Sequence, residues 1–112
     1  MIEPGALVIV HLANPTEKFW GVLVSLEGVG AIFRGLSLDT FEDWVTELAR
    51  GETASLGLAT VFVPLFRIER IFLDEQVGAV ESYRQRFERR VGVSIERYLD
   101  LAAHDGSEHG PS

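Results

Sequence analysis

The side chains most able to do chemistry in this chain are its three histidines, and His11 is the one that lies among other polar groups. It precedes a turn cluster in the stretch HLANPTEKFW. A general base needs a substrate or a nucleophile within reach and usually a carboxylate that orients it. Only Glu17 and Lys18 are near in the sequence, so no triad can be assembled and a structural role is favoured for His11.

The other two histidines, His104 and His109, are separated by four residues in the C-terminal stretch HDGSEHGPS. A zinc site needs imidazole, thiolate or carboxylate ligands held in a fixed geometry. This stretch contains glycine and proline and has no helical pattern that would place both imidazoles on one face, and the chain has no cysteine. No metal site is therefore predicted.

Four carboxylates, Asp39, Glu42, Asp43 and Glu47, fall close together and resemble a catalytic cluster at first sight. They lie in LDTFEDWVTELARG, where apolar residues recur at helical spacing, and the pattern predicts a helix over 39–50 with Asp39 as its N-cap. Acids in a first turn compensate the helix dipole, so we interpret the four as a solvated helix face. The glycines follow no GxGxxG or P-loop order. The sequence therefore predicts no cofactor and no enzyme.

The first two thirds of the chain are predicted to form five short antiparallel strands around that helix. Gly21 and Gly35 each interrupt an apolar strand, which is typical of a bulge or a strong bend. A 3₁₀ turn over 66–70 is predicted before the last strand. Runs of β-branched and aromatic residues bounded by turn residues place the strands at 5–13, 19–26, 31–37, 60–63 and 71–73.

The segment 79–103 is predicted to form C-terminal helices. The positions that carry this prediction are the apolar Val80, Tyr83, Phe87 and Val91, the helix stop Gly92 and the cap Ser94. A chain of 112 residues is a common size for one compact domain. We therefore predict a single domain over 1–103, with a barrel core at 5–74 and a disordered tail at 104–112 that lacks an apolar anchor.

This order of strands, helix and 3₁₀ turn resembles the small SH3-like and Sm-like barrels. The resemblance covers Gly5 to Asp74 and implies a five-stranded, bent antiparallel barrel with one inserted helix. Sm-like proteins typically carry an N-terminal helix and an RNA-binding Asp/Asn signature, and this sequence has neither. The stretches HLANPTEKFWG, FRGLSLDTFEDW and FVPLFRIERIFLDE also resemble small bacterial proteins of uncharacterised function, which implies no activity.

A second, local resemblance lies in RFERRVGVSIERYLDL, which is similar to the second helix-turn-helix of AraC-type regulators. The proline usual after the turn is Ile95 here, and only about eighteen residues match. The resemblance implies an alternative function in which this segment binds DNA. The residues that would contact nucleic acid are Arg86, Arg89, Arg90 and Arg97, with Arg84 beside them.

The distribution of charge weighs against that alternative. The net charge is −7, and residues 1–78 hold five Lys/Arg against eleven Asp/Glu, whereas residues 79–103 hold five Arg against four acids. Nonspecific affinity for nucleic acid rests on Lys and Arg that neutralise phosphates.

No apolar run reaches the length of a membrane helix, and an acid stands in MIEPGALVIV where a signal peptide would be basic. Together with the absence of cysteine, these features predict a cytoplasmic protein.

Binding is therefore favoured over catalysis. Amphipathic C-terminal helices carry more aromatic and apolar side chains than a small barrel alone would cover, which favours an interface with another subunit. We predict a noncatalytic protein-interaction or scaffolding module that forms homo-oligomers, with nucleic acid disfavoured as a partner. The candidate side chains for contact with protein are Trp20, Trp44, Tyr83 and Phe87. For Trp20 and Trp44 the pattern fits a core position equally well.

Overall fold

The computed structural model describes residues 1–52 and 57–99, which form one antiparallel sheet with helices on one of its faces. The strand order is β4-β3-β2-β1-β5. This confirms the predicted mainly β class, with five strands, an inserted helix and C-terminal helices. The elements are β1 (Leu7–Leu12), β2 (Glu17–Glu27), β3 (Gly30–Ser37), α1 (Leu38–Ala49), β4 (Ala59–Pro64), a 3₁₀ turn (Leu65–Arg67), β5 (Ile68–Leu73) and α2 (Tyr83–Val91), and residues 95–99 are also helical.

Two glycines face each other across β2 and β3. Gly21 pairs with Gly35 in the register of these strands. A β-carbon placed on Gly35 would lie 2.0 Å from the Trp20 carbonyl oxygen, and one placed on Gly21 would lie 2.4 Å from the Arg34 carbonyl oxygen. Both positions therefore require glycine because the two backbones approach too closely for any side chain.

The bent sheet is apolar on both faces. The inner face buries one cluster that includes Val8, Val10 and Phe33. Strand β5, which follows the 3₁₀ turn, packs apolar side chains against this cluster. The outer face buries a second cluster around Trp20, Trp44 and neighbouring aromatic side chains of the helices. Alternate residues of β1 serve the two clusters, which explains why its sequence is apolar at nearly every position.

Two predicted boundaries are wrong. Helix α1 begins at Leu38 and its cap is Ser37, whose hydroxyl accepts a hydrogen bond from the Asp39 amide (3.1 Å), so Asp39 lies inside the first turn. Strand β3 runs directly into the helix, and the serine that ends the strand also caps α1. Strand β5 begins at Ile68, three residues before the predicted start, because the 3₁₀ turn before it is short.

The start of the C-terminal helices also differs from the prediction. Helix α2 begins at Tyr83, after a capping box in which the Ser82 hydroxyl accepts from the Gln85 amide and the Gln85 side chain accepts from the Ser82 amide. Val80 precedes this cap and forms an isolated bridge with Val77, so it is not part of the apolar helix face. The segment 53–56, the predicted end of the domain at 100–103 and the predicted tail at 104–112 lie outside the described residues.

The helices pack on the sheet of their own chain. Phe87 from α2 and Ile95 from the helical residues 95–99 are buried in the outer cluster with Trp44 of α1. The left-handed Gly92 (φ 88°) ends α2, and the Ser94 hydroxyl accepts from an amide of the following helix. The amphipathic C-terminal helices therefore bury their apolar faces without a second subunit.

Candidate protein-interaction surface

The aromatic residues predicted to contact protein lie mainly in the core. Trp20, Trp44 and Phe87 are each at most 1% exposed. Tyr83 is partly buried and packs edge-on against Phe41, with ring centroids 5.0 Å apart. The predicted role of Tyr83 and Phe87 rested on the C-terminal helices having excess apolar surface, and the outer cluster buries both residues wholly or in part within the chain. Trp20, Trp44 and Phe87 therefore stabilise the fold and are not accessible to a partner.

The arginines of the nucleic-acid alternative are engaged with acids. Arg86 contacts Glu42 (2.6 Å) and Glu81 (3.3 Å), and Arg89 contacts Glu81 (2.7 Å). Arg90 contacts Glu42 (3.2 Å). The hydrogen bond from Arg89 is the main cause that lowers the pKa of Glu81, and the hydrogen bond with Glu42 is the main cause that raises the pKa of Arg86. Arg86 and Arg90 therefore join α2 to α1 through Glu42, and Arg89 joins α2 to Glu81, which precedes this helix.

The other two arginines lie near the turn between α2 and the helical residues 95–99. Arg84 forms ion pairs with Glu88 and Glu96, which link the two helices. Arg97 donates its backbone N–H to the Ser94 hydroxyl (3.1 Å) and is exposed. The helix, glycine turn and capped helix of the local resemblance are thus present, and of these two arginines Arg84 links the two helices.

His11 lies at the rim of the sheet next to β5. Its ring packs edge-on against Phe72, with centroids 4.9 Å apart, and its Cα partner on β5 is Arg70. Burial is the main cause that lowers the pKa of His11, and the charges of Lys18 and Arg70 lower it further. Among residues 1–52 and 57–99 no group of three or more His, Cys, Asp or Glu side chains is placed to hold a metal.

The lowered pKa of His11 predicts how the stability of the protein depends on pH. The unfolded chain binds a proton near the ordinary value of 6.5, but the folded chain binds it only at lower pH. The contribution of His11 to the unfolding free energy is therefore constant above that value and falls as the pH drops from about 6.5 through the folded pKa. The measurement is urea unfolding as a function of pH, compared with His11→Phe. The variant should lack this part of the pH dependence, and an identical profile would contradict the assignment.

Asp74 is a connecting residue that the sequence did not single out. Its carboxylate accepts from the Trp20 indole N–H (2.9 Å) and from the backbone N–H groups of Tyr83 and Arg84 (both 2.8 Å). A single side chain thus joins the end of β5, the buried tryptophan of β2 and the first turn of α2. A signal existed in the sequence, because an acid that ends a strand shortly before a helix can cap that helix.

Exposed apolar side chains concentrate at one end of the sheet. Phe66 is 88% exposed, Val29 is 71% exposed and Phe62 is 54% exposed. We call this surface the apolar end. Its members come from β2, the turn after it, β4 and the 3₁₀ turn, and they are Val24, Leu26, Val29, Phe62, Leu65 and Phe66.

The apolar end is held together by the backbone. The Leu65 N–H donates to the Val29 carbonyl (2.9 Å), which fixes the 3₁₀ turn against the turn between β2 and β3. Phe62 lies opposite Ile32, and a β-carbon on Gly30 would lie 2.9 Å from the Phe62 ring. Few charged residues lie near the apolar end. Glu27 and Arg34 are on the adjoining strands, and Arg67 forms an ion pair with Glu17 (3.0 Å).

A smaller apolar groove lies between β5 and α2. It has a volume of about 190 Å³, and its apolar lining is Ile9, Phe72, Leu73, Val77, Val80 and Tyr83. Its acids include Asp74, which caps α2, and Glu81, which contacts Arg86 and Arg89. This groove has fewer exposed large apolar side chains than the apolar end.

Comparison with known proteins adds no assignment: no family model matches the chain, no curated protein matches it, and no solved structure matches it. No helix within residues 1–52 and 57–99 combines the length and apolar character needed to cross a membrane.

Proposed function

We propose that this protein is a noncatalytic protein-interaction module that self-associates through its apolar end. The observation that carries the proposal is that six exposed large apolar side chains lie at one end of the sheet, where few charged residues are close in the strand register. Contiguous apolar patches on folded proteins mark interaction sites, and the core of an interface is depleted in charge and enriched in phenylalanine.

The neighbourhood of the 3₁₀ turn supports a contact. Phe62, Leu65 and Phe66 follow one another along β4 and this turn, and each is exposed. A partner that covers them removes apolar surface from water, which is the main favourable contribution to association.

The chemistry at the other candidate residues supports binding over catalysis. His11 packs against an aromatic ring, and the acids Glu42 and Glu81 contact arginines. The nucleic-acid alternative has less support because Arg86, Arg89 and Arg90 are each paired with Glu42 or Glu81. We also propose that the bent sheet is a small barrel of the SH3-like or Sm-like kind, supported by the Gly21–Gly35 bend and the 3₁₀ turn before β5.

Phe66→Lys tests the proposed surface. A charge at the most exposed aromatic position should raise the dissociation constant of the self-associated form by roughly tenfold or more, because central aromatic residues dominate interface energetics. The matched control is Val77→Lys in the apolar groove, which makes the same change in net charge at a position that is 67% exposed. Light scattering on a dilution series measures both constants. Equal effects of the two variants, or no association in the parent protein, would refute the proposal.

A further inference from the structure

The two ends of the sheet differ in how their free edges are protected. The strand order places β4 and β5 at the ends, and among residues 1–52 and 57–99 no strand pairs with their outer edges. Natural sheets protect such edges with charges, prolines or bulges. Strand β5 contains Glu69 and Arg70, and its pairing with β1 has a register shift at His11 and Leu12. Strand β5 is therefore protected.

Strand β4 has almost none of these protections. Its sequence is ATVFVP, which contains no charged residue, and its register with β3 is unbroken from Ala59 to Pro64. Only Pro64, at the end of the strand, lacks a backbone N–H. The apolar side chains of Phe62, Leu65 and Phe66 lie along and beyond this edge. The edge of β4 is thus both apolar and open to pairing.

The backbone of β4 shows which groups face outward. The Leu65 N–H bonds to the Val29 carbonyl across the end of the β3–β4 ladder. In an antiparallel ladder, residues alternate between those that bond to the neighbouring strand and those that direct their N–H and C=O groups away from it. Val63 and Val61 therefore bond to β3, whereas Phe62 and Thr60 direct both backbone groups to the free edge.

We infer that two copies of this chain associate by antiparallel pairing of their β4 edges about a two-fold axis. The inference rests on the proposed self-association and names the strand that forms it. With Val61 on the axis, the outward groups of Thr60 lie opposite those of Phe62 in the second copy, and four hydrogen bonds can form from these residues. The pairing joins the two sheets and places Phe62 of each copy next to the axis. Because the paired strands run in opposite directions, the 3₁₀ turn of each copy lies beyond the start of β4 in the other.

Charge and symmetry favour a second copy as the occupant of this edge. Each chain carries a net charge of −7, so two copies repel at most surfaces. Strand β4 carries no charge, and the 3₁₀ turn carries only Arg67, which Glu17 engages. Pairing β4 with itself therefore brings no acids together. An isologous contact of this kind also closes after two copies and leaves no β4 edge exposed.

Amide hydrogen exchange in the full chain tests the inference directly. The Thr60 and Phe62 amides should exchange rapidly in dilute protein and become protected as concentration rises, because they point out of the β3–β4 ladder. The Val61 and Val63 amides serve as internal controls and should be protected at both concentrations. Association without protection of Thr60 and Phe62 would overturn β4 pairing and leave self-association intact, whereas a monomer at every concentration would overturn both.

Thr60→Pro provides the matched mutational test. Proline removes an outward N–H but no bond to β3, and edge strands tolerate proline at such positions. We expect the dissociation constant to rise roughly tenfold or more, because each dimer loses two backbone hydrogen bonds. Thr60→Val keeps the N–H and should associate like the parent. An unchanged dimer in Thr60→Pro, or a parent assembly larger than two copies, would overturn the inference.

Discussion

Replacing Asp74 with alanine should lower the unfolding free energy by about 3 kcal/mol, because one carboxylate satisfies three donors. It accepts from the indole N–H of Trp20, which is 1% exposed, and from two backbone N–H groups in the first turn of α2. Without it, a buried indole N–H has no partner and α2 loses its contact with the end of β5. Urea unfolding followed by tryptophan fluorescence measures the change.

Two further variants make the Asp74 prediction specific. Asp74→Asn keeps one side-chain oxygen as an acceptor and should lose less stability than Asp74→Ala. Glu75→Ala removes the adjacent, exposed acid and should stay within about 0.5 kcal/mol of the parent. If Asp74→Ala were as mild as Glu75→Ala, the hydrogen bonds to Asp74 would not stabilise the fold.

Gly35→Ala should destabilise the protein at least as much as Asp74→Ala does. We expect its unfolding free energy to fall by about 3 kcal/mol, or the protein to fail to fold. The added methyl group would lie 2.0 Å from the Trp20 carbonyl oxygen and 2.7 Å from the Gly21 Cα, and both neighbours are backbone atoms that cannot rotate away. Relief requires the two strands to separate, which weakens the bend and the aromatic cluster beside it. Thermal unfolding of the purified protein measures the loss.

Gly28→Ala is the matched control for Gly35→Ala. A β-carbon at that position meets no atom within 4 Å, so the variant should be as stable as the parent. A Gly35→Ala protein with parental stability would show that the backbones of β2 and β3 are farther apart at Gly21 and Gly35 than the structure has them.

Local patterns in the sequence predicted the elements well because each depends on nearby residues. Alternating β-branched runs predicted the five strands, and apolar residues at helical spacing predicted α1. The glycines that interrupt the apolar strands, Gly21 and Gly35, pair with each other where the two backbones approach closely, and the bend inferred from them stays a prediction. The predicted start of α1 was wrong because Ser37 and Asp39 are both good N-cap residues. Only the path of β3 selects Ser37 as the cap.

Contacts between distant residues could not be predicted in this way. The number of aromatic residues in the C-terminal helices suggested an excess over what the sheet could bury, but Phe87 and Trp44 fill one outer cluster. The roles of Glu42 and Asp74 depend on partners 44 and 54 residues away, Arg86 and Trp20, which no local pattern reveals. The exposure of Phe62 and Phe66 is also a property of the assembled sheet, because strand patterns alone indicate burial.

Sedimentation equilibrium of the full chain over a wide range of concentration is the most direct test of the central claim that the protein self-associates through its apolar end. The chain has a mass of 12.4 kDa. The account predicts a mass that approaches two chains as concentration rises and returns to one chain on dilution, with Phe66→Lys shifting the transition to higher concentration. A constant mass of one chain at every concentration would contradict it.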